Sequence, residues 1–388
     1  MEISAVLLTL FIILVAAKIG GEIAEYFKQP AVLGELIAGV VVGVGALGLV
    51  KESDFINILA QIGAIILLFE AGVTSEYESF MKVKLWAFTV ACVGVVLPFI
   101  FGYFVSHYYG LGVIESIFVG ATLTATSVGI TVRVFQDLGR IKSKEAQIVI
   151  GAAVVDDVIG LIILAVIIGI ITSGSVSVIN ILRITGMAAF FLGGALIVGN
   201  VAAPTLLKFV HQMRVRGVLF VFAFAFCLIM AVASQAVGLA PIVGAFAAGL
   251  ILSRTEHKEH VERQIKPVAD IFVPIFFIMM GAAVNVSYFN PFNPANHSML
   301  VFAALLFAVA VAGKLISGWA VFARVNKLMI GVGMMPRGEV GLIFAAYGLS
   351  HKIISQPLYV AILVMVILTT FVTPPILKAI IQRCPPNS

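Results

Sequence analysis

Apolar runs follow one another along almost the whole chain, and only short polar breaks separate them. Hydrophobic residues make up 61% of the 388 residues and charged residues only 11%, whereas a soluble domain carries about 25% charged residues. A helix needs about 20 consecutive apolar residues to cross a bilayer. The sequence therefore predicts an all-α polytopic membrane protein without a sizeable soluble domain.

The polar breaks divide the chain into about thirteen predicted spans, with boundaries good to several residues. The spans are 3–26, 30–49, 55–73, 84–106, 113–138, 145–171, 179–207, 217–236, 240–253, 266–284, 298–323, 328–350 and 356–381. Basic residues collect at alternate breaks, with 18 Lys and Arg on one side against Lys51, Arg183 and Lys352 on the other. Because Lys and Arg accumulate on the cytoplasmic side, the N-terminus is expected outside and the C-terminus in the cytoplasm.

Two of the predicted spans look interrupted. Residues 121–131 of the fifth span concentrate small hydroxyl residues, including Thr126 and Ser127, and such hydroxyls can bond carbonyls that an unwound turn frees. In the twelfth span, Pro336 stands among glycines beside Arg337 and Glu339, and proline breaks a helix interior. Interrupted segments in corresponding halves indicate inverted-topology repeats with a transport site at the midplane. The predicted units are spans 1–6 and 8–13, joined by a linking seventh span.

Two adjacent carboxylates, Asp156 and Asp157, lie inside the sixth span. One Asp at the centre of a membrane helix costs about 2.5 to 3.5 kcal/mol, so the pair needs a partner charge, protons or bound cations. Neighbouring helical residues point about 100° apart, so the two should have different partners. Lys314, the one lysine deep in a late span, is expected to pair with Asp156, which leaves Asp157 to face a cavity. All three could instead form one structural ion cluster.

Protons and a monovalent cation would compete for such a pair of carboxylates. A hard cation prefers oxygen ligands, which Asp157, Asp156, the Thr126 and Ser127 hydroxyls and unwound carbonyls could supply. Around the second break, Arg337 and Glu339, with Pro336, are expected to stabilise exposed half-helix ends.

Other polar features receive structural interpretations. Gly39 and Gly43, in a segment that formally matches a nucleotide-binding glycine pattern, predict close helix packing and no nucleotide site. Glu35 is expected to pack near a helix end, while His257 and His260 are assigned to a solvated, charged cytoplasmic loop.

With these residues in view, the chain resembles the second cation/proton antiporter family, and within it bacterial sodium/proton antiporters of the NapA type. The segments that carry the resemblance, in the family's order, are QPAVLGELIAGV, ATSVGITVRVFQDLG, GAAVVDDVIGLIILAV, GLAPIVGAFAAGL, GKL and GVGMMPRGEVGLI. The resemblance implies that Asp157 binds the ion, that Asp156 and Lys314 form a pH- and ion-sensitive pair, and that Thr126 lies where the broken helices cross. An Asp-Asp pair looks like the electrogenic pattern of two protons per sodium, although potassium-using relatives share these motifs.

The resemblance also implies an architecture. It implies a homodimer. The chain is expected in the bacterial cytoplasmic membrane, and no cofactor, nucleic acid or soluble partner is expected from its sequence. Panel helices would occupy 1–76 and 211–290, a moving core 77–172 and 291–388, and a linking helix 173–210.

Two other classes of membrane protein could also use acidic residues within the bilayer. Intramembrane aspartyl proteases also use two membrane Asp residues, but theirs come from separate helices, whereas Asp156 and Asp157 are adjacent. A channel or receptor-like gate would be favoured by flux far above carrier turnover or by flux without proton counterflow.

Overall fold

The structure is a computed structural model, and it is helical throughout the part of the chain that it describes. That part comprises residues 3–50, 53–75, 77–173, 217–284, 294–337 and 352–383, with isolated residues between 179 and 215 and between 341 and 349. The predicted seventh span, the second half of the twelfth and Glu339 fall largely or wholly outside it.

Thirteen α-helices with assigned bounds lie within the described ranges. They are α1 Ile3–Tyr26, α2 Ala31–Val42, α3 Asp54–Thr74, α4 Tyr77–Tyr108, α5 Val113–Thr122, α6 Val128–Asp137, α7 Lys144–Ser173, α8 Val218–Ala236, α9 Pro241–Leu252, α10 Lys258–Ala282, α11 Pro294–Ser317, α12 Lys327–Gly333 and α13 Gln356–Arg383. Seven helices in these ranges are long and apolar enough to cross a membrane. The chain is therefore a multi-pass membrane protein.

Two helix boundaries correct the sequence-based prediction. The second span was predicted to reach residue 49, but α2 ends at Val42 and Gly43 is extended. The segment 254–266, with His257 and His260, was predicted as a solvated loop, but α10 already begins at Lys258. The loop part of this prediction was wrong for the residues from Lys258 onward, because Val261 and Ile265 are buried four residues apart and form an apolar stripe against the protein. The charged side of the segment is solvated, since Glu259 and His260 are exposed.

Glycines bring one group of helices into close contact. A Cβ on Gly39 would lie 2.3 Å from the carbonyl oxygen of Ile278, and one on Gly43 would lie 2.5 Å from Cα of Ala282. The predicted packing role of Gly39 in α2 and of Gly43 just after its end is therefore confirmed. Small residues permit such backbone approach, and α1, α2, α3, α8, α9 and α10 pack on one another in a chain of neighbours.

A second group of helices packs around α4. Helix α4 contacts α5, α7 and α11, while α13 contacts α11 and α12. Helix α6 lies between the groups, because it contacts α2 and α3 on one side and α7 and α13 on the other. The interruption that precedes α6 is consequently placed at the boundary between the two sets of helices.

Candidate functional site

The interruptions of the fifth and twelfth spans meet inside the protein. Helix α5 ends at Thr122 and α6 begins at Val128, as predicted, while α12 ends at Gly333. The backbone N–H of Ser127 donates to the Pro336 carbonyl at 2.8 Å, and the Thr131 hydroxyl donates to the Gly333 carbonyl at 2.7 Å. Each non-helical segment thus satisfies backbone groups that the other leaves unpaired, as burial within a membrane requires.

Arg337, in the non-helical segment after α12, bonds to the backbone of the non-helical segment between α5 and α6. It is fully buried, and its Nη1 donates to the carbonyl oxygens of Ala125 at 2.8 Å and Thr124 at 3.3 Å. The Thr370 hydroxyl of α13 donates to the Arg337 carbonyl at 2.7 Å. These contacts are those expected of a residue that stabilises free half-helix ends. Pro336 is placed with it, whereas Glu339 lies outside the described residues.

Asp156 has the partner that the sequence suggested. Its Oδ2 accepts from Nζ of Lys314 at 2.9 Å and from the Thr126 hydroxyl at 2.5 Å. Lys314 is 0% exposed and Asp156 1% exposed, so the ion pair is out of contact with solvent. The second oxygen, Oδ1 of Asp156, is buried and has no hydrogen-bond partner among the residues that the structure describes.

Lys314 reaches Asp156 across a glycine of α4. Lys314 lies in the last turn of α11, and a Cβ on Gly94 would lie 3.3 Å from its Nζ and 3.4 Å from its Cδ. A side chain at position 94 would therefore compete with the lysine for space. Nothing in the sequence identified Gly94 as part of the site, because its role depends on how α4 packs between α7 and α11.

Asp157 faces a different environment from Asp156, as their helical spacing predicted. It is half-buried and lines a small cavity together with Thr126, Ser127 and Gly129 at the first interruption. The remaining walls come from α3, α7, α9 and Phe276 of α10. The cavity has a volume of about 20 Å³, which is room for one water molecule or an ion of similar size.

The structure distinguishes among the hydroxyls of the first interruption. Thr122 donates to the Val119 carbonyl and Thr124 to the Ala121 carbonyl, so both bond back to α5. Thr126 instead reaches Asp156, while Ser127 lines the Asp157 cavity and makes no side-chain cap to α6. The Asp157 carboxylate and the Thr126 and Ser127 hydroxyls are therefore the side-chain oxygens that line a small cavity with otherwise apolar walls, and such oxygens are ligands of small, hard cations.

A separate group of charges joins α6 to α2. Arg133 lies within α6 and forms an ion pair with Asp137 at 2.9 Å. It also lies 3.8 Å from Glu35 of α2, a residue that is only 2% exposed. Glu35 therefore packs within the protein, and its charge faces the arginine of the neighbouring helix.

Interrupted helices that meet beside buried carboxylates, among helices long enough to cross a bilayer, define a membrane transporter. Comparison with known proteins identifies which kind. The model of the family described as sodium/hydrogen exchanger, transmembrane, matches residues 7–383. The chain belongs to this family, and it is accordingly a cation/proton antiporter and not an enzyme.

Relatives and solved structures agree with this assignment. The chain is 40% identical to the high-affinity Na+/H+ antiporter NhaS3 of Synechocystis sp., over 98% of this chain and 90% of that protein. It is 34% identical to the Na+/H+-K+ antiporter GerN of Bacillus cereus, over 95% and 94% of the two chains. The fold is similar to that of the sodium proton antiporter MjNhaP1 of Methanocaldococcus jannaschii, with a TM-score of 0.68, 18% identity and 98% of each chain covered.

Proposed function

We propose that the chain exchanges cytoplasmic Na+ for external H+ and that the two ions compete for Asp157. The main support is that Asp156 and Asp157, neighbours on one turn of α7, have different surroundings. Asp156 is held by Lys314 and Thr126, while Asp157 lines a cavity that fits one small ion. A carboxylate that lines a cavity of this size can bind a proton or a small cation, so the two ions are alternative occupants of the site.

The ion pair of Asp156 and Lys314 beside the cavity is a second group that can gain or lose a proton during exchange. When a cation enters next to Asp157, the nearby charge of Lys314 disfavours it, because like charges repel strongly in a low-dielectric interior. Release of Lys314 from Asp156, or loss of its proton, relieves this repulsion and frees a carboxylate oxygen for the cation. Protonation restores the 2.9 Å pair when the cation leaves.

Alternating access would come from motion of one helix group against the other. In this proposal, panel helices within 1–76 and 211–290 stay fixed, and core helices within 77–172 and 291–388 carry the site. The packing of α3 with α9 and α10, and of α4 with α7 and α11, supports this division. The proposal also retains thirteen spans, inverted repeats, an external N-terminus, a cytoplasmic C-terminus and a homodimer in the bacterial cytoplasmic membrane.

Exchange of two protons for one Na+ would move one net charge per cycle. A membrane potential of 100 mV then contributes about 2.3 kcal/mol, which allows sodium export even when the pH gradient is small. The pair formed by Asp156 and Lys314 supports this stoichiometry, because it supplies a second proton-binding group next to Asp157.

Transport in proteoliposomes tests the central residue. Asp157→Asn should reduce Na+-driven proton flux to that of protein-free liposomes, because the amide neither binds a proton at neutral pH nor neutralises a cation. Asp54→Asn, at an exposed helix start, removes a carboxylate far from the cavity and should keep the parent flux. Full Na+-driven flux in the Asp157 variant would remove this residue from the mechanism.

Ion preference and electrogenicity need a second measurement. The same liposomes are given Na+, Li+ or K+ while an imposed potential is varied and internal pH is followed. Electrogenic exchange predicts that an inside-negative potential accelerates movement of net positive charge inward. Flux that does not change with the potential would establish electroneutral exchange. Equal flux with K+ would show that the site does not select Na+ over K+, and flux with K+ but not with Na+ would replace Na+ as the proposed cargo.

A further inference from the structure

A second cavity lies next to the one that contains Asp157. It has a volume of about 280 Å³, and its walls come mainly from α3, α10 and α13. Its polar wall residues are Asn57, Gln61, Arg337 and Thr370. Among the residues that line the two cavities, Phe276 is the only one common to both walls.

Packing determines where the Phe276 side chain lies. A Cβ on Gly63 of α3 would meet the Phe272 carbonyl at 2.2 Å and Cβ of Phe276 at 3.4 Å, so α3 and α10 are in close contact at this level. On the other side, a Cβ on Gly129 would lie 3.4 Å from Cε1 of Phe276. The ring therefore extends from α10 to the first turn of α6, which follows the interruption that carries Thr126 and Ser127.

We propose that Phe276 is the gate between the Asp157 cavity and the second cavity, and that its ring must move away for an ion to pass. An apolar constriction holds back ions because water and hydrated ions are excluded from it. Phe276 is 8% exposed, and it lies between α3 of the first helix group and α6, the helix at the boundary of the two groups. Sliding of α6 past α10 would therefore move the Gly129 surface off the ring and open the passage.

This inference rests on the proposed function, and it adds a direction to it. The second cavity is lined by Asn57, near the start of α3, and by Val284, just after the end of α10. In the proposed orientation these positions face the outside of the cell. Phe276 is thus the external gate, and removal of its ring should expose the ion site to the external solution in the conformation described here.

Thiol labelling measures this exposure directly. In a background in which all three cysteines are replaced, Val154→Cys provides a reporter, because Val154 lines the Asp157 cavity without belonging to the proposed ion ligands. A membrane-impermeant trimethylammonium methanethiosulfonate reagent is added outside right-side-out proteoliposomes. Phe276→Ala should raise the rate of reporter modification at least about tenfold, whereas Phe276→Leu, which keeps apolar bulk, should raise it less.

The neighbouring ring supplies the matched control. Phe277 is 0% exposed and packs against Phe276 with ring centroids 5.0 Å apart, but it lines neither cavity. Phe277→Ala removes the same number of atoms and should leave the modification rate unchanged. Equal rates in the two alanine variants and the parent would overturn the proposal. If Phe276→Ala does not fold, Phe276→Val is measured against Phe277→Val.

The outcomes separate the gate from the proposed function. A parent that exchanges Na+ for H+ but shows no effect of Phe276→Ala keeps the function and refutes the gate. If the parent exchanges neither ion but Phe276→Ala still raises the modification rate, the gate is supported and the proposed function is refuted. A rise seen only with reagent trapped inside the vesicles supports the gate and reverses the proposed orientation.

Discussion

Removal of the Lys314 amine should reveal how strongly the buried ion pair is coupled. In Lys314→Met the methionine occupies similar volume, but Asp156 keeps only the Thr126 hydroxyl as a partner. At an effective dielectric constant of about 20, two unit charges separated by the 2.9 Å of this pair attract by about 6 kcal/mol. Protonation of the aspartate and local rearrangement recover part of this energy, so a loss of about 3 to 5 kcal/mol in the free energy of unfolding is expected.

The double variant Asp156→Asn, Lys314→Met should be far less destabilised than the sum of the two single variants, because it leaves no unpaired buried charge. A deviation from additivity of about 3 kcal/mol is expected, against about 0.5 kcal/mol or less for independent sites. Equilibrium unfolding in mixed micelles with increasing sodium dodecyl sulfate measures each variant. Lys18→Met, at an exposed position of α1, provides the control and should change stability by about 0.5 kcal/mol or less. Additive single variants would show that the 2.9 Å contact carries no net coupling.

Two further substitutions test how the pair and the interruption are held. Gly94→Val should displace the Lys314 amine and lower Na+-driven flux at least about tenfold, with Gly160→Ala, where an added Cβ meets nothing within 4 Å, as the inert control in the same flux assay. Arg337→Leu should lower the free energy of unfolding by about 2 to 5 kcal/mol, because two buried carbonyls lose their donor. Arg324→Leu, at an exposed position, is the control and should have almost no effect in the same micelle titration. Equal losses in the two variants would refute the capping role of Arg337.

The arrangement of Asp156 and Asp157 shows how far sequence reasoning reaches. Their different surroundings follow from the rotation between neighbouring helical residues, and the structure places one in an ion pair and the other beside a cavity. Lys314 could be named as a partner because so few cations lie deep in the apolar runs. That it reaches Asp156 past Gly94 depends on the distance between α4 and α11, which no local pattern encodes.

The errors have a similar origin. The charge density at the start of α10 favours a loop, and its charged residues Glu259 and His260 are indeed exposed, but buried Val261 and Ile265 give the segment an apolar side on which a helix packs. Helix α2 ends just before Gly43, which has no side chain and packs closely on the backbone of Ala282. The start of α10 and the end of α2 both depend on contacts with a neighbouring helix, which the composition of a segment does not reveal.

The sequence by itself determined the membrane-spanning helical architecture, the two interrupted segments and the residue types of the site, because apolar length, proline and hydroxyl content act locally. Only the tertiary structure decided that Ser127 meets Pro336, that Arg337 holds the Thr124 and Ala125 carbonyls, and that Phe276 separates two cavities. The physical reason is that these contacts join residues from different helices. Their distances are set by how closely the backbones approach, which is a property of the packed protein and not of any one segment.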